Sequence, residues 1–263
     1  DRGEMLTADG PSGEGSYAYD PDGQPTQSTD AAGTTNYTYV NARLETVTDG
    51  ITGTTQTLGY DAAGAPKTID YGSGRLRSFG YDDFGRLATD QLKNSAGQTV
   101  ASTTYGYDDA DRLTSKTTTG TAGAADNTYT YDYADRLTSW TAGGTTTAYG
   151  WDASGNRTKN GTKTAVFDAR DQLQTDGDYT YTYSPRGTLA SRTSSGLTEL
   201  FSYDAFDRLA NANGTTYGYD GLDRINSRGA QQFAYAGQET DPAFDGTATY
   251  AQGPDGAPIA VGE

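Results

Sequence analysis

Carboxylates gather at short intervals in this chain, most densely as Asp20 and Asp22, as Asp82 and Asp83, and as Asp108, Asp109 and Asp111. Hard oxygen ligands on a turn are what calcium needs, but the twelve-residue loop closed by a bidentate Glu is missing. Aspartate also initiates type I turns and tolerates the left-handed backbone region. That plainer reading explains why Gly takes its place freely. Paired acids would suit glycoside hydrolysis, which requires two carboxyls at a fixed separation with one pKa raised by an apolar pocket. Here every pair recurs in equivalent turns, whereas catalysis needs a singular site. The chain has no histidine and no cysteine, which removes the usual general base, the usual metal ligand and thiolate chemistry. The sequence therefore predicts no catalytic residue, no metal and no cofactor. Trp140 and Trp151, the two tryptophans, are the first candidates for a platform on which a sugar ring could stack.

The element that positions these residues is shown most clearly by TYGYDDADRLTS, from Thr104 to Ser115. Tyr105 and Tyr107 sit two apart and share a face of an extended strand. Asp108 begins a short polar break that ends at Arg112 and Leu113, which predicts a hairpin. Its economical form is a three-residue loop, Asp109-Ala110-Asp111, in which a type I turn is followed by a left-handed residue at Asp111. Asp108 then opposes Arg112, and Tyr107 opposes Leu113. Strand alternation puts Tyr105, Tyr107 and Leu113 on one face and an Asp108–Arg112 ion pair on the other, a pair that contributes roughly 0.2–1 kcal/mol. Pinning register this way matters, because a one-residue slip would move every aromatic to the wrong face.

The unit recurs twelve times, its last aromatic falling at Tyr19, Tyr39, Tyr60, Tyr81, Tyr107, Tyr131, Trp151, Phe167, Tyr183, Tyr203, Tyr219 and Tyr235, in steps of 16 to 26 residues. A period that runs from end to end is the signature of a repeat architecture. The motif is carried by Tyr19, Tyr60, Tyr81, Asp82, Gly85, Arg86, Tyr107, Asp108, Asp111, Arg112, Tyr131, Asp132, Arg136, Trp151, Tyr203, Asp204, Arg208, Tyr219, Asp220 and Arg224. Ten of the twelve units place Gly or Asp at the left-handed position, five of each, as sterics there favour. The unit NYTYVNARLE is one residue short at Asn41-Ala42 and predicts a different turn. Return turns are expected at Asp49-Gly50, Asn160-Gly161, Asp176-Gly177 and Asn213-Gly214, dipeptides that accept positive dihedrals at both turn centres. The insertion from Gln91 to Thr103 reads as a longer hairpin turning at Ser95-Ala96-Gly97. Beyond Tyr235 the unit degrades, with Tyr250 and Asp255-Gly256 suggesting one more irregular hairpin. No helix-period stretch longer than two turns is evident.

Only 33% of the 263 residues are hydrophobic, and 21 are Tyr. An ordinary globular core cannot be filled from so few aliphatics, so cross-strand aromatic columns are expected to hold the sheet. The net charge of −16 opposes phosphate backbones and anionic lipid, and no apolar run approaches the ~20 residues that span a bilayer. Asp1 to Gly10 does not read as a signal peptide, so a mature segment or an excised piece is expected.

At YDDFGRL, YDDADRL, YDYADRL and YDAFDRL the chain resembles the Rhs or YD-repeat family, along essentially its whole length. That family includes bacterial polymorphic-toxin scaffolds, shell components of insecticidal toxin complexes and the extracellular barrel of teneurins. The resemblance implies a long ribbon of hairpins that spirals into a hollow shell and, in toxin members, encloses a toxic domain released by a C-terminal protease-like plug. Residues 1–263 themselves carry no plug or toxin signature.

The sequence thus predicts an all-β chain of tandem hairpins forming a curled or spiral sheet, part of a hollow shell or barrel. A single body over 1–263 is expected, with about twelve hairpins over roughly 10–240 and an irregular terminal hairpin over 241–263. The expected function is a non-catalytic wall segment, secreted or at the cell surface of a bacterium, that encloses or displays a toxin or other effector. Its partners would be that effector, further repeats of the same shell, or copies of itself joined through sheet edges, with no nucleic acid and no membrane insertion. The alternative is a cell-surface adhesion or carbohydrate-binding module that takes a glycan on its tyrosine-lined face.

Overall fold

The computed structural model describes residues 3–262. Among them are strands and turns and no helix. The strands form three sheets, of sixteen, nine and four strands, and within each sheet consecutive strands pair antiparallel, so each is a meander without crossovers. Two units are distinguished: one is the chain up to Arg77 together with the chain from Thr215 on, the other is Ser78–Gly214.

The hairpin takes the predicted form. Asp111 has φ 61°, its amide donates to the Asp108 carbonyl at 3.1 Å, and Tyr107 lies opposite Leu113. All ten Gly and Asp residues expected at the left-handed position have positive φ, from Gly23 at 83° to Asp223 at 62°. In the short unit Asn41 and Ala42 both do, at 52° and 60°, the signature of a type I′ turn. The insertion is a hairpin between Leu87–Lys93 and Thr99–Tyr107.

The repeat also carries a regular bulge. Immediately before the last aromatic the register slips: Gly106 faces Ser115 but Tyr107 faces Leu113, leaving Thr114 unpaired. The same bulge precedes Tyr19, Tyr60, Tyr131, Trp151, Tyr183, Tyr203 and Tyr219. A bulge bends its strand and increases local twist, so the repeat carries its own curvature.

Three expectations are corrected. Of the four return dipeptides, Asn213-Gly214 alone has positive φ at both centres, while Asn160, Asp176, Asp49 and Gly50 do not. The aspartates instead turn their carboxylates onto loop amides. Asp49 Oδ1 accepts from Ile51 and Thr52, Asp176 Oδ1 from Asp178 and Tyr179, and at the first loop the left-handed residue moves on to Gly53. The second correction concerns the aromatic columns: Tyr179 and Tyr181 pair ring to ring at 6.2 Å, but rings of the motif are covered by guanidinium groups. The third follows from it. The arginine shares a face with the tyrosine set, because Asp108 lies in the turn, where strand alternation has stopped.

The units differ in how they are held. In the first, Ala234–Tyr235, Pro242–Phe244, Thr249–Gln252 and Pro258–Gly262 form a small sheet that meets the N-terminal strands. The Tyr37 hydroxyl donates to the Gln252 carbonyl at 2.8 Å, Gln56 Nε2 to that of Ile259 at 3.2 Å, and the Tyr235 amide to that of Ser12 at 2.8 Å. Tyr37, Val47, Ala243 and Ala251 are buried there. In Ser78–Gly214, by contrast, no residue is buried. That unit is a single layer, and apolar burial cannot be its main support.

Candidate functional site

Besides the backbone pairing of their strands, one hairpin is joined to the next by a reciprocal pair of tethers built from the repeat motif. Asp108 shows the local half. Its Oδ1 accepts the amides of Ala110 and Arg112, each at 3.0 Å, and its Oδ2 accepts Arg112 Nε at 2.7 Å. The carboxyl is held below its usual range, first by the Arg112 amide and against partial desolvation. The turn acids Asp82, Asp132, Asp204 and Asp220 make the same bonds. These oxygens are already committed, and no group of three or more metal-ligating side chains is gathered among the described residues.

The guanidinium then reaches forward. Arg86 Nη1 donates to the Asp108 carbonyl at 3.0 Å and to Asp111 Oδ1 at 2.6 Å, and Arg86 lies 4.7 Å from the Tyr107 ring centroid. Arg112 repeats this on Asp132, Asp135 and Tyr131, and Arg136 on Asp152 and Trp151. A planar, permanently charged fork can hold an acid, a carbonyl and a ring together, which an ammonium cannot.

The aromatic reaches back. The hydroxyls of Tyr39, Tyr60, Tyr107, Tyr131, Tyr183 and Tyr235 donate to a backbone carbonyl of the preceding repeat at 2.8–2.9 Å, those of Tyr107 and Tyr131 to Leu87 and Leu113, and that of Tyr19, in the first unit, donates to Met5 at 3.0 Å. Trp151 keeps the function through Nε1, which donates to Leu137 at 2.8 Å. Each such bond contributes about 1 kcal/mol. Tyr131→Phe is therefore expected to lower stability by about 0.5–1.5 kcal/mol in a urea melt. Tyr133→Phe, at a fully exposed ring, should stay within about 0.5 kcal/mol of the parent.

Tyr81, Tyr203 and Tyr219 end their strands as the motif requires, and Gly85 has φ 78°. Arg208 is bound to Asp204 at 2.7 Å. The tryptophans are not brought together: Trp151 belongs to the tether, whereas Trp140 lies opposite Tyr129 and Thr147 and donates to Asn127 Oδ1.

Asp220 and Arg224 are the most enclosed acid and base of the set, with side chains 4% and 13% exposed and 2.7 Å apart. Burial pushes the Asp220 carboxyl up, but the Arg224 side chain and the amides of Arg224 and Leu222 outweigh it and bring it from 3.8 to about 2. A pKa depressed in the fold contributes stability that is complete above the unfolded value and is lost as the pH falls through the folded one. Burial, with the charges of Asp30 and Glu239, raises Tyr17 to about 12, and burial followed by Tyr37 and Asp20 raises Tyr39 to about 12. Those contributions are present below pH 10 and are lost as the pH rises toward 12. A circular-dichroism titration should accordingly show loss of structure between about pH 4 and 2 and again between about pH 10 and 12. A stability plateau running unbroken through either window would contradict the assignment.

The Teneurin YD-shell family profile matches residues 91–239, more than half of the chain. A search of curated proteins finds no match. Among solved structures, TcdB2-TccC3-Cdc42 aligns with a TM-score of 0.57 at 20% identity, over 81% of this chain and 13% of that one. TcdB2-TccC3 without its hypervariable C-terminal region gives 0.56 at 18%, over 80% and 14%. The Tc holotoxin pore of Photorhabdus luminescens, carrying a TccC3 mutation, gives 0.55 at 18%, over 92% and 15%. At such identities the likeness is one of fold, and the chain spans about one-seventh of the length of those structures. With a profile match across tethered hairpins of this form, the chain belongs to the Teneurin YD-shell family.

Proposed function

We propose that the chain is a non-catalytic wall segment of a secreted YD shell, with 1–263 working as one body that encloses or displays a toxin or other effector. The observation that carries this reading is the reciprocal tether. It adds side-chain links to the backbone pairing of hairpins that, over Ser78–Gly214, have no buried core, which is what a wall requires and an active site does not. Family membership supports the scaffold role, and the Tc toxin assemblies named above, which contain TccC3, support an effector as the partner. The same turn acids recur in equivalent places and are bound to their own loops, which favours a structural use over catalysis. The remaining partners on this reading are further repeats of the same shell.

The test is protease protection in the native polypeptide. The effector should resist a broad-specificity protease in the parent and become sensitive when Arg86, Arg112 and Arg136 are together replaced by Ala. Equal digestion of the effector in both forms would overturn enclosure. Turnover abolished by one turn-Asp substitution that leaves the melting curve unchanged would overturn the non-catalytic role.

A further inference from the structure

At one junction both halves of the tether are altered. The unit that follows Trp151 ends in Phe167, which has no hydroxyl to reach back, and Asn156 stands where Arg86, Arg112 and Arg136 stand in other units. Asn156 keeps the acid bridge, with Nδ2 3.0 Å from Asp152 Oδ2 and 2.8 Å from Asp171 Oδ1, but it is too short to cover the following ring. The strands here shrink to two residues each, Lys163–Thr164 and Val166–Phe167. A cavity of about 340 Å³ opens at this place, bordered by Trp151, Phe167, Leu173, Arg157 and Asn160. That is the lower end of the ~300–1,000 Å³ range of small-molecule sites.

We propose that this cavity is a binding subsite for a pyranose that carries one carboxylate, such as a uronic or sialic acid. The two aromatic side chains offer apolar surface to the C–H face of a sugar ring. Asn160 supplies both a donor and an acceptor for hydroxyl groups. Charge selects the acid. Lys163 is paired with Asp178, and the Asp176 carboxylate is taken up by the amides of Asp178 and Tyr179 and by the Tyr181 hydroxyl. Arg157 lies 5.8 Å from the Tyr149 ring centroid and has no carboxylate partner among the described residues. It is the cation left to meet an anion, and its planar fork matches a carboxylate. Asp176 and Asp178 on the same wall repel a phosphorylated or multiply charged ligand, so a single negative charge is favoured.

The protein has a built-in reporter, since Trp140→Phe leaves Trp151 as its one indole. In that background glucuronic acid or N-acetylneuraminic acid should change Trp emission saturably, with glucose binding at least tenfold more weakly. Adding Arg157→Gln should weaken the acid sugars at least tenfold without moving the melting temperature. Saturation-transfer NMR on the unaltered protein gives the same answer without the tryptophan change. No transfer from either acid sugar, equal response to glucose, or binding that survives Arg157→Gln would overturn the proposal. None of these outcomes bears on the wall role, which rests on the intact tethers.

Discussion

Arg224→Ala is expected to lower the unfolding free energy by about 3 kcal/mol, the usual cost of stranding one partner of an enclosed ion pair. The guanidinium is bound to Asp220 at 2.7 Å, donates through Nη1 to the carbonyls of Gly237 and Glu239 at 2.7 and 2.8 Å, and lies 4.3 Å from the Tyr235 ring centroid. Removing it leaves a carboxylate that is 4% exposed without its counter-charge, two carbonyls without their donor, and a ring face uncovered. The matched control is Arg186→Ala, which breaks the Arg186–Asp207 bridge where the side chains are 60% and 44% exposed. An exposed pair contributes about 0–1 kcal/mol, so this change should fall in that range. Urea melts at pH 7 separate the two. Equal losses would show that enclosure does not decide the worth of the acid–base pairs.

Gly120→Ala is expected to be at least as damaging, about 3 kcal/mol or more, because two costs coincide. Gly120 has φ 72°, a conformation that disfavours a Cβ by roughly 1–2 kcal/mol. A Cβ at that position would also fall within the contact radius of the Val100 carbonyl oxygen and 2.8 Å from Ala101 Cα, so the backbone itself must shift. Gly85→Ala isolates the first cost: φ is 78°, and nothing lies within 4 Å of the added carbon. It should lose about 1 kcal/mol. Should the two variants melt alike, the close approach of the Gly120 loop to the Thr99–Tyr107 strand would be wrong.

The hairpins were legible because their determinants are local. Tyr107 opposite Leu113 and Asp111 in the left-handed region follow from loop length and from what a Cβ permits, and neither needs knowledge of the next repeat. The tether was not legible, since it joins residues about twenty apart whose spacing varies with each insertion. Arg112, for example, binds Asp108 within its own loop and Asp135 in the following one. A signal was nonetheless present: Asp111 and Asp135 at the left-handed position each follow a repeat whose arginine reaches them. The choice of Tyr or Trp over Phe at the strand end was a second, since only the first two carry a donor. Two of the return turns that differ from expectation share one cause. Backbone preference favours positive dihedrals at Asp49 and Asp176, but their side chains compete for the loop amides and redirect the turn.

The absence of any buried residue from Ser78 to Gly214 has a calorimetric consequence. The heat-capacity increment of unfolding comes from newly wetted apolar surface, opposed by newly wetted polar surface. A one-layer ribbon has little of the first left to wet. Its increment should fall below the ~12–15 cal/mol/K per residue of globular proteins, giving a shallow dependence of stability on temperature and little weakening in the cold.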